Sequence, residues 1–373
     1  MVRGRHILRR LALVAIPATG LLLGQIAAAA AGPFIGPLTH VTSLGSTVPR
    51  NGDVNPYGMA VVSQDWGRLD AGNVLVSNFN ASSNAQGTGT TIVQMTPHGG
   101  RSVFAHITDQ DVRGGCTGGV GLTTALAILQ HRWVIVGSLP TTDGTSATAK
   151  AGCLIILDSN GNVVETLNHA FGINGPWDLT AVDRGPDSFV FVTNVLNGTV
   201  AAGGAVVNRG TVVRIVLHTA GSANPWVVSS TVVGSGFAER TDPAALVVGP
   251  TGDAVTASGT LYVADTVDNR IAAIPDAFTR KSTAMTGTDV TSNGMLNSPL
   301  GLTLAPNGDI LTVNAGDGRI VETTPSGAQV AFQWLDMSGS PPGSGALFGL
   351  VVTPTRNGVY FVDDATNTFE LLH

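Results

Sequence analysis

Lysine is almost missing from this sequence: Lys150 and Lys281 are the only two in 373 residues. Charged residues of all kinds make up only 12%, and the formal net charge is −6. A chain this poor in cations has no electrostatic footprint for a phosphate backbone, so nucleic acid is excluded as a partner. Aromatics are scarce at 5%, and Cys116 and Cys153 are the only two cysteines. Two cysteines rule out a cysteine-ligated cluster and a multi-disulfide scaffold alike. Apart from the first thirty residues there is no apolar run long enough to span a bilayer. Amphipathic helical periodicity is also wanting, and with 48 Gly and 19 Pro to punctuate the chain no long helix is expected.

What is present begins with a leader. "MVRGRHILRR" is basic, "LALVAIPATGLLLG" is apolar and "QIAAAAAGP" offers small residues for cleavage, so residues 1–31 read as an export signal. Residues 32–373 then form a single domain of an exported protein, extracellular or periplasmic, with no stable membrane insertion after cleavage. Loss of Arg3, Arg5, Arg9 and Arg10 with the leader takes the net charge from −6 to about −10. In an oxidising compartment Cys116 and Cys153 read as a disulfide, because one precedes the first strand of a repeat unit and the other opens its third strand.

The domain is repetitive. "PLGLTLAPNGDILTVNAGDGRIVETTPSGAQVAF" from Pro299 is echoed by "PYGMAVV" at Pro56, "GNVLVSNFN" at Gly72 and "TIVQMTPHGGRSVF" at Thr91. An opening strand recurs six times, as "NPYGMAV" (Asn55), "GVGLTTA" (Gly119), "GPWDLTA" (Gly175), "DPAALVV" (Asp242), "SPLGLTL" (Ser298) and "ALFGLVV" (Ala346). A second strand follows in step and ends on a small polar residue: Asn78, Ser138, Asn194, Asp265, Asn314 or Asp363. Both strands are apolar on both faces, as sheets buried on both sides require. Each unit has room for four strands. The pattern predicts an all-β, six-bladed β-propeller of four-stranded antiparallel blades. The last unit stops one strand short, and "LTHVTSLGST" (Leu38 to Thr47) stands unattached before the first, so the N-terminal strand should close the ring in the last blade.

"SPLGLTLAPNGDILTV" and "LYVADTVDNRI" resemble NHL repeats, within the wider six-bladed group that includes gluconolactonase-like and strictosidine-synthase-like enzymes. That resemblance implies the propeller fold, and a function anywhere between enzyme and binding scaffold. Gluconolactonase-like relatives hold a metal with a Glu/Asn/Asp set; the acid they carry in the first blade has no counterpart in "NPYGMAV".

Chemistry is sparse. No nucleophile elbow, zinc-binding helix or phosphate loop is present, and none of His40, His98, His106, His131, His169, His218 or His373 falls at a ring position, which argues against zinc. Aligned hub positions are Gly58, Gly121, Asp178, Ala245, Gly301 and Gly349, and Asp178 is the only acid among small residues. Asp178, Asn194, Glu239, Asp265, Asn314 and Asp363 are the candidate ligand-binding residues, with Asp178, Asn194 and Asp265 the candidates for a hard cation such as Ca²⁺. Loops between second and third strands are long in blades 1 to 3 ("SNFNASSNAQGTGT", "SLPTTDGTSATAKAG", "TNVLNGTVAAGGAVVNRG") and short afterwards ("DTVDNR", "NAGDGR", "DDATNT"). Repeats without a catalytic constellation read as an exported scaffold that binds a small molecule, glycan or protein at the central mouth on the long-loop face. The alternative is a Ca²⁺-type hydrolase or lactonase, and a third reading is a lyase.

Overall fold

Val, Ile and Leu packed into runs of five to eight residues, each broken by Gly, Asn or Asp, build twenty-five strands and almost no helix among the described residues. The computed structural model describes residues 1–2, 32–221 and 223–373, so the export signal assigned to residues 1–31 lies outside the described residues except for its first two positions. Gly32–His373 is one unit, a six-bladed propeller.

β1 (Val41–Ser46) precedes the first blade. Blade 1 is β2 (Val54–Val61), β3 (Val74–Asn80), β4 (Thr91–Met95) and β5 (Arg101–His106); blade 2 is β6 (Leu122–Leu129), β7 (Trp133–Ser138), β8 (Cys153–Leu157) and β9 (Val163–Leu167). Blade 3 is β10 (Pro176–Arg184), β11 (Asp187–Asn194), β12 (Val207–His218) and β13 (Trp226–Asp242), with a short β14 (Leu246–Val248) folded back on β13. Blade 4 is β15 (Pro250–Val255), β16 (Leu261–Asp265), β17 (Arg270–Ile274) and β18 (Thr288–Ser292); blade 5 is β19 (Pro299–Leu304), β20 (Ile310–Asn314), β21 (Arg319–Thr323) and β22 (Gln329–Trp334). Blade 6 is β23 (Leu347–Val352), β24 (Val359–Asp363) and β25 (Thr368–Leu372), completed by β1, which pairs antiparallel with β25 from Val41↔Leu372 to Ser46↔Thr368. The N-terminal strand therefore closes the ring in the last blade, as the sequence predicts, and covers the edge that β25 would otherwise expose.

Five innermost strands share one irregularity. Each pairs at a proline or leucine at or near its start, bulges over the next two residues and resumes: Pro56/Met59, Pro176/Leu179, Pro250/Asp253, Pro299/Leu302 and Leu347/Leu350. A bulge re-aims side chains. Its first residue is Tyr57, Trp177, Thr251, Leu300 or Phe348; its second is Gly58, Asp178, Gly252, Gly301 or Gly349. The glycines are there for close approach: a Cβ would collide with the carbonyl oxygen of Thr124 at Gly58, Leu300 at Gly252, Phe348 at Gly301 and Tyr57 at Gly349, each in the next blade.

Two alignments are corrected by the structure. "DPAALVV" is the β13–β14 turn and β14, not the opening strand of blade 4, which is "PTGDAV"; the hub position is Gly252, not Ala245. The cause is an apolar run buried among the residues that close the axis rather than in the innermost strand of a blade. In blade 2 the bulge is wider, from Leu122 to Leu126, so Thr124 rather than Gly121 faces the axis.

Candidate functional site

Antiparallel blades put the loops between second and third strands on one face, the loop face, and the first-to-second strand turns on the other, the turn face. On the loop face the first bulge residues meet at the axis. Tyr57 stacks on Phe348 at 3.9 Å and on Phe79 at 4.6 Å, and Trp177 lies 6.3 Å from Phe348. Leu139, Val195, Leu246, Val248 and Leu300 fill the gaps, and Trp177 Nε1 donates to the Val247 carbonyl at 3.0 Å. This is where "DPAALVV" is buried. Above the plug, Gln86 Nε2 from the long loop of blade 1 donates to the Pro243 carbonyl at 2.7 Å. The long loops of the first two blades gather on this face as expected, but the axis beneath them is closed, leaving a shallow hollow of about 310 Å³ beside Gln86, Ser146 and Asp242.

Behind the plug the axis opens again. A cavity of about 240 Å³ runs between the innermost strands toward the turn face, walled by Met59, Leu126, Leu179, Ala254, Leu302 and Leu350. Exposure rises along β2 and β19, from buried Met59 to half-buried Val61 and from buried Leu302 to half-buried Thr303, which marks the open end. Its polar side chains are Asp178, Asp253, Thr124, Thr180 and Thr303. Asp178 occupies the place that is glycine in four other blades, and it lines the same cavity as Asp253. Asp178 Oδ1 accepts from the Leu179 N–H at 2.8 Å. Asp253 is 3% exposed, and neither carboxylate oxygen has a partner; Thr124 is 4% exposed with its Oγ1 also unpartnered. Burial holds both carboxyls well above the usual range, and the proximity of Asp178 adds to the effect on Asp253.

The other candidates from the sequence are placed differently. Asn194 Oδ1 accepts from the Asn174 N–H at 3.2 Å, and Asn174 Nδ2 donates to Asn197 Oδ1 at 2.6 Å. Asn197 in turn donates its N–H to Glu239 Oε1 at 2.9 Å, so Asn194 and Glu239 belong to one loop-face network in blade 3. Burial pushes Glu239 up to about 7 against those hydrogen bonds. Asp265 accepts from Arg270 Nε at 2.8 Å; burial raises it to about 6 although the guanidinium opposes that. Asn314 Nδ2 bonds the Met295 carbonyl and Asp317, and Asp363 Oδ1 accepts from the Thr366 N–H. These side chains tie down loop-face turns. Asp178 lines the axial cavity with Asp253 instead, while Asn194 and Asp265, expected beside it as cation ligands, make separate contacts. Among the described residues no three His, Cys, Asp or Glu side chains cluster to hold a metal.

Asp253 is missed from the sequence because the apolar "DPAALVV" mimics an opening strand just ahead of the true one. One signal marks it: fifteen residues separate Pro250 from Asp265, as they do Pro299 from Asn314.

Cys116 and Cys153 are joined, with Cα atoms 5.4 Å apart. Among the described residues no helix is long and apolar enough to cross a membrane.

No protein-family model matches the chain, and no curated protein does. Solved structures do. A gluconolactonase of Xanthomonas campestris is similar over 90% of this chain and 93% of its own, with a TM-score of 0.54 and 12% identity. Virginiamycin B lyase of Staphylococcus aureus matches over 89% and 98%, with a TM-score of 0.51 and 12% identity. A PQQ-bound aldose sugar dehydrogenase of Streptomyces coelicolor matches over 89% and 98%, with a TM-score of 0.53 and 15% identity. At such identities the likeness is one of fold: a six-bladed propeller whose neighbours include gluconolactonases, lyases and sugar dehydrogenases. The NHL likeness rests on the fourth and fifth units alone.

Proposed function

We propose that this chain is an exported small-molecule-binding propeller whose site is the axial cavity on the turn face. One observation carries the reading: a dead-end cavity of about 240 Å³ has, at its closed end, a buried aspartate, Asp253, with both oxygens unpartnered. A buried carboxylate without a partner is costly, and such costs persist where a ligand supplies what the protein withholds. Apolar walls with a few converging polar groups are the ordinary anatomy of a ligand pocket. The loop-face mouth expected from the long loops is the poorer site, because Tyr57, Phe79, Trp177 and Phe348 fill the axis there. Export is supported by the basic and apolar opening segment and by the disulfide.

The test is a panel of sugars, lactones, amino acids and amines screened by thermal melting against wild type and Thr303→Trp, which would block the open end. Compounds that stabilise wild type should lose their effect in the variant. Stabilisation that survives the block would refute the tunnel as the site.

A hydrolytic reading is favoured by a separate feature, the Asp178 and Asp253 carboxyls themselves. Two acids in one cavity with raised proton affinity can divide acid and base roles. The gluconolactonases among the structural neighbours motivate assaying sugar lactones with and without Ca²⁺ and chelator. Turnover abolished by Asp253→Asn would establish that role, and no turnover leaves the binding reading in place.

A further inference from the structure

We infer that the axial cavity selects an organic cation, a primary ammonium head on a short apolar stem, with the head seated between Asp178, Asp253 and Thr124. The inference rests on the tunnel reading above and names the ligand class of that site. Three acceptor side chains line the same cavity: Asp178, Asp253 with two free oxygens, and Thr124 with a free Oγ1. An ammonium has three N–H donors and no acceptor, which matches this set; a neutral hydroxyl brings one donor and leaves carboxylate oxygens bare. Charge points the same way, since the site holds two acids and, among the described residues, the cavity wall carries no Lys, Arg or His. A bare metal ion fits poorly, because two carboxylates and a hydroxyl are fewer than the six to eight oxygens that Ca²⁺ takes, and the cavity of about 240 Å³ is far larger than an ion.

The rest of the cavity fits the stem. Met59, Leu126, Leu179, Leu302 and Leu350 stand level with Asp253, and toward the open end the wall continues as Val61, Ile128, Ala181, Thr303 and Val351, with no further charge among the described residues. Ile128 is shared with a wider hollow of about 530 Å³ that also touches Trp66, Gln64 and His131, between blades 1, 2 and 3. A stem leaving the tunnel would thus meet a half-exposed tryptophan ring, and a bulky or aromatic tail has room there.

The experiment titrates hexylamine, hexanol and calcium chloride separately into the whole purified chain by calorimetry near neutral pH. Wild type is compared with Asp253→Asn, Asp178→Asn and Thr303→Trp, with thermal melts as the folding control. Hexylamine is expected to bind one per chain and about tenfold or more tighter than hexanol, the margin of a charged hydrogen-bonded head. Both Asn variants should lose that margin without melting lower, and Thr303→Trp should lose both compounds. Should Asp253→Asn fail to fold, Asp178→Asn carries the same comparison. Equal binding of hexylamine and hexanol, both blocked by Thr303→Trp, overturns the ammonium assignment and leaves the tunnel standing. Hexylamine binding that survives Thr303→Trp overturns the tunnel as well. Absence of hexylamine binding, or calcium that binds tighter and displaces it, also overturns the assignment.

Discussion

Asn367 Oδ1 accepts the Asn55 N–H at 2.7 Å across 312 residues of sequence, tying the last turn of blade 6 to the entry of blade 1. Asn269 repeats the device between blades 4 and 5, accepting the Ser298 N–H at 2.9 Å. Both asparagines sit at left-handed φ, 57° and 51°, a conformation that Asn tolerates better than other residues with a side chain. Removing the Asn367 side chain leaves the Asn55 N–H without that acceptor, so Asn367→Ala should cost about 1 kcal/mol in denaturant unfolding. An unchanged midpoint would show that the staple is idle.

Ring closure contributes more at the same junction. Deleting residues 38–47 removes β1 and exposes β25 along its whole length. A sharp fall in melting temperature with concentration-dependent aggregation is expected. The same melting curve as the intact chain would contradict closure as a source of stability.

How much of this was legible in the sequence follows from what each residue answers to. Strand order, blade number, closure and the disulfide were readable because they rest on local patterns: two apolar strands in step, a polar stop, and a strand left over at one end. The hub was readable in four blades, at Gly58, Asp178, Gly301 and Gly349, where Asp178 stood out, and was misplaced in blades 2 and 4. Asp253 was not, because "ALVV" before it looks more like an inner strand than "PTGDAV" does. Only the axial plug explains why that apolar run is buried outside the innermost strands. The closing of the loop face was equally hidden, since Tyr57, Trp177 and Phe348 lie in different blades and meet only when the ring is formed.

Gly349 is a sharp test of the hub. A Cβ there would meet the Tyr57 carbonyl oxygen of blade 1, backbone that the bulge and the aromatic stack hold in place. Gly349→Ala should destabilise by about 1–3 kcal/mol, the usual cost of overpacking. Gly72→Ala makes a fair control for space, since nothing stands near its Cβ, although its φ of 85° adds backbone strain of its own.

The disulfide closes a loop whose ends are 37 residues apart. In the chain-entropy picture, a double Cys116→Ser, Cys153→Ser variant should lose about 3–4 kcal/mol. Non-reducing peptide mapping of the protein purified without reductant checks the bond itself; recovery of both cysteines as alkylated thiols would remove it.

Buried carboxyls set the pH dependence. Burial raises Glu239 to about 7, and burial followed by the charge of Asp363 raises Asp364 to about 8, against ordinary values of 4.5 and 3.8. A carboxyl whose folded pKa is raised favours the fold while both states are protonated, and that contribution is lost as pH climbs through the folded value. Stability should therefore be higher near about pH 5 than near about pH 8.5, with the loss running from about pH 4 to about pH 8 and steepest between about 5 and 7, where both groups contribute. Asp364→Asn should flatten the upper part of that decline. A melting temperature that rises across the interval would reverse the assignment.

Asp178 gives the last and most discriminating outcome, because the ring pattern supplies its control. Four blades carry glycine where blade 3 carries Asp178, so Asp178→Gly restores the pattern and Asp178→Asn keeps the size while removing the charge. If the acid were there for stability, both changes would lower the melting temperature. A half-buried acid sharing a cavity with a buried one is instead a cost at neutral pH, of the kind that functional sites retain at the expense of the fold. Asp178→Asn should melt at or above wild type near about pH 8 and lose its advantage near about pH 5, where the acid is protonated anyway. Binding in the tunnel should fall in both variants. A variant that melts well below wild type at both pH values would return Asp178 to a purely structural role and leave Asp253 as the only functional acid of the cavity.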